Sequence, residues 1–391
     1  MIYFYISTVL FIGGIFIVYW IHSQYHLDIV VKPTSPPSDA PLISVCVPAR
    51  NEERNIRACV EAILAQDYPN FEVIVLEDRS TDKTPEILRG IAAQNTRFKV
   101  ISGSDLPAGW AGKPHALFQA STAAQGEWLC FVDADTFLSP TTLSSCYAKA
   151  IETHADMFTI MTFQILGSFW EKVVMPIVMS ALSVGFSPRK VNDPKTKDAI
   201  ANGQFILIKR LVYNAIGGHE RIQDQIVEDK AIAEQVKWNG HRLIVANGYS
   251  VAWTRMYTSL PEMWEGWTKN IYLGLSDQPS LMLLGAFGAF ILLVAALVLP
   301  FWPLLGLVWY LQGGGWLALS VILQSLILWT IIIYARARVA IGMGISPWYA
   351  FTLPLGAAIF AAMMFTSTWR ILSGKGASWK GRVYTPKSSG R

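Results

Sequence analysis

Charge is scarce in this chain of 391 residues: Asp, Glu, Lys and Arg make up 15% of it, against 52% hydrophobic residues. That balance excludes an ordinary soluble protein of this size and points to a membrane. The net charge is only +4 and no basic face with interleaved aromatics occurs, which excludes a nucleic-acid partner. Cysteine is scarce too. Cys46, Cys59, Cys130 and Cys146 form no C-x-x-C pair, so they read as small core residues of a reduced compartment and not as disulfides or metal ligands. Internal repeats and low-complexity tracts are absent, and nothing demands an obligate protein partner. The first apolar run lacks an Ala-x-Ala cleavage site and therefore reads as a retained anchor.

Apolar sequence is abundant, and it is concentrated. Residues 1–21 carry no charge, and residues 281–334 carry none, with breaks at Pro300, Pro303 and Gly313-Gly314-Gly315. A third run covers 345–370. Because about 20 apolar residues cross a bilayer, the expected layout is an anchor at 1–21, two crossings in 281–334 and a further membrane segment at 345–370. Residues 22–41, with the Pro/Ser-rich stretch Pro33 to Pro41, form a linker, residues 42–275 a domain holding nearly all the acidic groups, and residues 371–391 a basic tail. Arg336, Arg338, Lys375, Lys380, Arg382, Lys387 and Arg391 flank the apolar runs, as membrane topology favours. With 42–275 cytoplasmic, two crossings return Arg336 and Arg338 to the cytoplasm, but a third would put the basic tail outside. Residues 345–370 are therefore expected to lie in the interface or re-enter, in a multi-pass protein of the cell (inner) membrane.

In the middle domain β-rich and helical segments alternate. Strands are expected at Ile43–Val47, Phe71–Leu76, Phe98–Ser102 and Trp128–Val132, and helices at Glu52–Gln66, Pro85–Ala93, Ala111–Ala124 and Thr142–Glu152. Such alternation implies an α/β domain with a mainly parallel sheet that binds ligands at the carboxyl ends of its strands. Phe169 to Val184, interrupted by Pro176, reads as an interfacial helix, with a buried core helix as the alternative.

The polar motifs fall at the strand ends. Pro48-Ala49-Arg50-Asn51-Glu52 follows the first strand. Glu77-Asp78 follows the second, leading into a helix-capping run, Ser80-Thr81-Asp82. Asp133-Ala134-Asp135 ends the fourth. Two carboxylates spaced i, i+2 on extended chain point to opposite faces, so one can hold a hard divalent cation while the other reaches a sugar or a bridging water. Glu228-Asp229 opens a helix over Lys230–Trp238, either as charge at a helix N-terminus or as a general base. A cation held by the Asp133/Asp135 pair, Mg²⁺ or Mn²⁺, would neutralise a departing diphosphate.

With Gly112-Lys113-Pro114-His115-Ala116-Leu117 added, these strings resemble the family 2 inverting glycosyltransferases of GT-A fold over roughly residues 42 to 270. Leu106 to Lys113, Val191-Asn192-Asp193-Pro194 and Ala201-Asn202-Gly203-Gln204-Phe205 are similar to the integral-membrane subgroup that glycosylates lipids, including carotenoid- and hopanoid-associated transferases. The resemblance implies that Pro48, Ala49, Arg50 and Glu52 line a nucleotide pocket, Asp78 meets the base, Lys113 approaches the diphosphate or base, and Asp133 faces the donor sugar. It also implies Asp135 on the metal and Glu228-Asp229 as the catalytic pair, Asp229 being the base. Gly217 and Gly218 would shape an acceptor loop, His219 reading as a turn histidine beside it, and Trp264, Trp267 and Lys269 would form the acceptor entrance.

One departure matters. Processive members carry Gln-x-x-Arg-Trp near the membrane, and here Gly266 precedes Trp267 where the arginine would stand, leaving Lys269 as a substitute point charge. The expectation is therefore one hexose, from UDP-glucose by default, moved to a lipid in the bilayer. The alternatives are a processive polysaccharide synthase and a non-catalytic membrane scaffold.

Overall fold

In the computed structural model, residues 1–24, 27–185, 187–275, 279–379 and 382–384 are described; the expected basic tail lies outside them from residue 385 onward. In chain order the helices are α1 Ile2–Gln24, α2 Ile56–Leu64, α3 Thr84–Ala92, α4 Gly112–Ala123, α5 Thr142–Glu152, α6 Phe169–Gly185, α7 Pro188–Asn192, α8 Arg210–Ala215, α9 Gly218–Arg221, α10 Glu228–Trp238, α11 Leu260–Leu275, α12 Pro279–Val298, α13 Trp302–Trp309, α14 Gly315–Gly342 and α15 Leu353–Leu372. The strands are β1 Ile43–Ala49, β2 Phe71–Glu77, β3 Phe98–Ser102, β4 Trp128–Phe131, β5 Thr136–Leu138, β6 Met157–Met161, β7 Phe163–Gln164, β8 Ile206–Lys209, β9 Leu243–Asn247 and β10 Ala252–Thr254, followed by a short hairpin of Ala377–Trp379 and Arg382–Tyr384. The chain divides into two units: residues 26–165 with 186–256, and residues 1–25, 166–185 and 257–391.

The first unit is built on a seven-stranded sheet of order β3-β2-β1-β4-β8-β6-β9. Every pairing is parallel except those of β8, which runs against both β4 and β6. Alternate residues of the central strands feed two cores, as the two-residue strand period requires. Val45, Val47, Val73, Val75 and Cys130 pack on one face, with Ile56, Val60, Leu88 and Leu143 of α2, α3 and α5. Cys46, Ile74, Leu76, Leu129 and Phe131 pack on the other, with Leu117, Val212 and Val236 of α4, α8 and α10. All four cysteines are free and buried.

The helix expected from Glu52 begins only at Ile56. The intervening backbone is spent elsewhere: Asn51 is left-handed at φ 53°, Glu52 N donates to Thr84 Oγ1 at 2.8 Å, and Glu53 N donates to Asp82 Oδ2 at 3.0 Å. In the second unit, Ile2–Trp20, Leu283–Gly342 and Pro347–Leu372 are long and apolar enough to cross a membrane. Interruptions fall at Leu299–Phe301 and Tyr310–Gly314, where the Pro and Gly residues stand, but α14 continues past Arg336 to Gly342. Arg336 is buried, and its Nη2 donates to Val173 O of α6 at 3.1 Å.

Candidate active site

The parallel strands bring the motifs to one edge of the sheet. Because β8 is reversed, its entry also lies there: Phe131 at the end of β4 pairs with Ile206 at the start of β8. The Asp133 turn and the Asn202-Gly203-Gln204 turn therefore meet.

The loops after β1 and β2 are laced together. Arg50 Nη1 donates to Asp78 O at 2.8 Å, Asp78 N donates to Ala49 O at 2.8 Å, and the Asp78 carboxylate lies 3.7 Å from Arg50 Nη1 and 3.8 Å from Arg79 Nε. Asn51 N donates to Ser80 Oγ at 3.1 Å and Thr81 N to Asn51 Oδ1 at 2.8 Å. Of the expected capping run only Asp82 serves the following helix, accepting from Thr84 N at 3.0 Å; Ser80 and Thr81 tie the two loops instead.

The charged centre forms around Lys113, in the first turn of α4. Its Nζ lies 2.7 Å from Asp133 Oδ1 and 2.6 Å from Glu228 Oε1. Burial disfavours the ammonium, but Asp133, Glu228 and Asp229 outweigh it and hold the Lys113 pKa well above the ordinary lysine value. Asp229, beside Glu228 at the start of α10, accepts from Gly203 N at 3.0 Å through Oδ2 and from Lys230 N at 2.7 Å through Oδ1. Burial first, then the neighbouring Glu228, pushes its pKa up to about 6; Lys113 and the two backbone donors pull the other way.

Sequence reasoning did not single out Gly203. A Cβ there would lie 3.1 Å from Lys113 Nζ and 3.4 Å from both Asp133 Oδ2 and Asp229 Oδ2, so a side chain would enter the charged centre. Around it, Asn202 Nδ2 donates to Ile160 O at 3.0 Å and to Gln204 Oε1 at 3.2 Å, and Thr162 Oγ1 also bonds Gln204 Oε1. The approach to this turn is pinned from the far end of α10, where Lys237 Nζ donates to the carbonyls of Lys190, Val191 and Asp198 and to Thr196 Oγ1, at 2.5 to 3.1 Å.

His219, expected as a turn histidine, is buried in the single turn of α9. Its Nδ1 lies 2.8 Å from Tyr213 Oη and its ring stands edge-on to Phe131, while burial and then Lys113 push its pKa down to about 3. Gly217 and Gly218 have φ of 81° and 51°, and a Cβ on Gly218 would strike the Tyr213 ring. Gly217 also lines an open depression of about 370 Å³ with Glu220, Arg221 and Gln223. Trp264, Trp267 and Lys269 belong to α11, in the other unit. At Gly266 a Cβ would collide with the Tyr257 side chain as it stands.

Among the described residues no three His, Cys, Asp or Glu side chains converge on a cation position. The carboxylates of Asp133 and Asp135 nevertheless suit a hard cation that arrives with a diphosphate, since such ions take one or two protein carboxylates and complete their shell with phosphate oxygens and water. With Asp133 already paired to Lys113, Asp135 would hold it.

The sheet with one reversed strand, carrying an Asp-x-Asp turn at its carboxyl edge and an acid pair at the start of α10, has the GT-A fold. Residues 44–217 match the family model "Glycosyl transferase family 2". The 4,4'-diaponeurosporenoate glycosyltransferases of Staphylococcus aureus strains USA300 and MRSA252 are each 28% identical over 244 residues, or 61% of this chain, which spans 64% of those relatives. Among solved structures, the mannosyltransferase PcManGT from Pyrobaculum calidifontis in complex with GDP-Man and Mn2+ matches 95% of this chain and 99% of its own, with TM-score 0.55 and 18% identity; that likeness concerns the fold. Over residues 44–217, under half of its length, the chain is similar to the family 2 glycosyltransferases, and over 61% of its length to 4,4'-diaponeurosporenoate glycosyltransferases.

Proposed function

We propose that this protein is a glycosyltransferase that moves a single hexose from a nucleotide sugar, UDP-glucose, to a hydroxyl or carboxyl of a carotenoid, hopanoid or other membrane lipid, working at the cytoplasmic face of the cell membrane. The observation that supports this reading is the charged centre at the carboxyl edge of the sheet, where Lys113 bridges Asp133 and Glu228 and Gly203 lies against Lys113, Asp133 and Asp229. The name of the 28%-identical relatives supports a carotenoid-type acceptor. A processive synthase is disfavoured by Gly266, where the Tyr257 ring leaves no room for the arginine of the processive motif.

In this mechanism Pro48, Ala49, Arg50, Glu52 and Asp78 hold the nucleotide, and Asp133, kept in place by Lys113, orients the donor sugar. Asp229 takes the acceptor's hydroxyl proton as the oxygen bonds to the anomeric carbon from the face opposite the phosphate. The anomeric C–O bond breaks, its electron pair leaves with the nucleoside diphosphate, and the configuration inverts. Asp135 would hold a divalent cation, Mg²⁺ or Mn²⁺, whose charge would offset that of the leaving diphosphate. Trp264, Trp267, Lys269 and α6 are assigned to the lipid.

The purified protein, incubated with a panel of nucleotide sugars and extracted membrane lipids, should yield by mass spectrometry a lipid carrying one added hexose. A ladder of lengthening oligosaccharides would replace this reading with the synthase, and no transfer from any donor would leave the scaffold. Excess EDTA should abolish transfer, and Asp135→Ala should lower turnover by about 10²-fold or more, because a dry site has little else to offset the diphosphate charge. Full activity in EDTA would refute the metal assignment.

A further inference from the structure

Among the described residues of the second unit, several buried hydrogen-bond donors have no protein acceptor. Trp267 Nε1 and Thr268 Oγ1 on α11, and Ser367 Oγ, Thr368 Oγ1 and Arg370 Nη1 on α15, are shielded from solvent and have no hydrogen-bond partner among the described residues. Trp267, Thr268, Ser367 and Thr368 are exposed by only 5%, 0%, 0% and 8%. Helix hydroxyls in apolar surroundings commonly bond back to a carbonyl one turn earlier. Thr366 does so to Ala362 O at 2.7 Å, and Ser325 and Thr330 of α14 do so to Val321 O and Leu326 O at 2.8 Å. Thr268, Ser367 and Thr368 do not.

These groups share one level of the helix packing. α12 runs antiparallel to α15, because Ala289 packs with Ala361 and Met364 while Ala296 packs with Leu353 and Ala357. Ile271 of α11 joins Ala361 and Met364, and the strand that follows α15 also packs on α11. The α11 turn before Ile271, with Trp267 and Thr268, therefore lies beside the α15 turn after Met364, with Ser367 and Thr368.

Indole N–H and guanidinium groups only donate, and the hydroxyls can donate as well. α15 carries no acidic residue, and Lys375 follows it. What completes this set is an anion with several acceptor oxygens. Phe365, Trp369 and Leu372, on the same stretch of α15, are 45%, 66% and 64% exposed and give that anion an apolar flank.

We propose that α11 and α15 bind the oxyanion head of a membrane lipid, a carboxylate or a phosphate, through Trp267, Thr268, Ser367, Thr368 and Arg370. The site shares Trp267 with the acceptor entrance and so rests on that reading, but its test reads lipid binding through Ser367, Thr368 and Arg370 and can fail while single-hexose transfer still holds. Thermal unfolding of the full chain in neutral detergent would be followed with oleate, dioleoylphosphatidylglycerol, oleyl alcohol or inorganic phosphate. Oleate and dioleoylphosphatidylglycerol should raise the midpoint, and oleyl alcohol and phosphate should not. The Ser367→Ala/Thr368→Val double variant loses two unpartnered hydroxyls, so it should be at least as stable alone, yet bind oleate about tenfold more weakly. Arg370→Gln should weaken oleate in the same direction. Unchanged oleate affinity in the double variant would overturn the site, and equal protection by inorganic phosphate would overturn the lipid as its occupant.

Discussion

Replacing Asp229 with Asn should lower the transfer rate by about 10² to 10⁴, the usual worth of a general base, and leave donor affinity unchanged. The amide keeps the shape of the acid and one acceptor oxygen for the backbone N–H of Gly203 or Lys230, but it cannot take a proton. A second readout comes from pH. With the wild-type pKa pushed up to about 6 by burial and Glu228, the base is ionised above that value and its rate should fall as pH drops through it. The Asn variant should lack that limb. A loss under about tenfold, with the limb intact, would mean the acceptor presents an already ionised oxygen and that Asp229 is not the base.

The alternating strands and helices were legible because each strand face fills one of two cores, so apolar residues recur where packing needs them. Thr142–Glu152 was placed to the residue, and β1, β2 and β4 to within two. The charged centre was legible only where side chains carry it. Asp133, Asp135, Glu228 and Asp229 announce themselves as acids. Gly203 does not, since its contribution is an absent side chain, visible only once β8 runs backwards and sets it against Asp133. The start of α2 was misjudged for a related reason: the loop after β2 competes for the backbone of Glu52 and Glu53, and a bond between segments about 30 residues apart leaves no local period. Arg336 shows the same limit in the apolar half, where a charge that reads as the end of a crossing sits inside α14 against a carbonyl of α6.

Lys113→Met should be the most informative change at the charged centre. It keeps most of the side chain's length and removes the ammonium that bridges Asp133 Oδ1 and Glu228 Oε1, leaving Asp133, Glu228 and Asp229 without that counter-charge. Two consequences follow from the sign of the interaction. Lys113 lowers the Asp229 pKa, so its loss should move the acid limb of the rate profile to higher pH than about 6 and leave less ionised base at neutrality. Asp133 also loses the partner that orients it toward the donor, so rate at neutral pH should fall by about 10² to 10³, in the range found when one preorganised electrostatic contact is removed. Glu228→Gln should shift the limb the opposite way, because Glu228 raises the Asp229 pKa. Lys113 is 36% exposed, which leaves room for a bland role as a solvated lysine. If the Met variant kept the wild-type limb and rate, that role would be the correct one, and the bridge would be a contact without consequence for transfer.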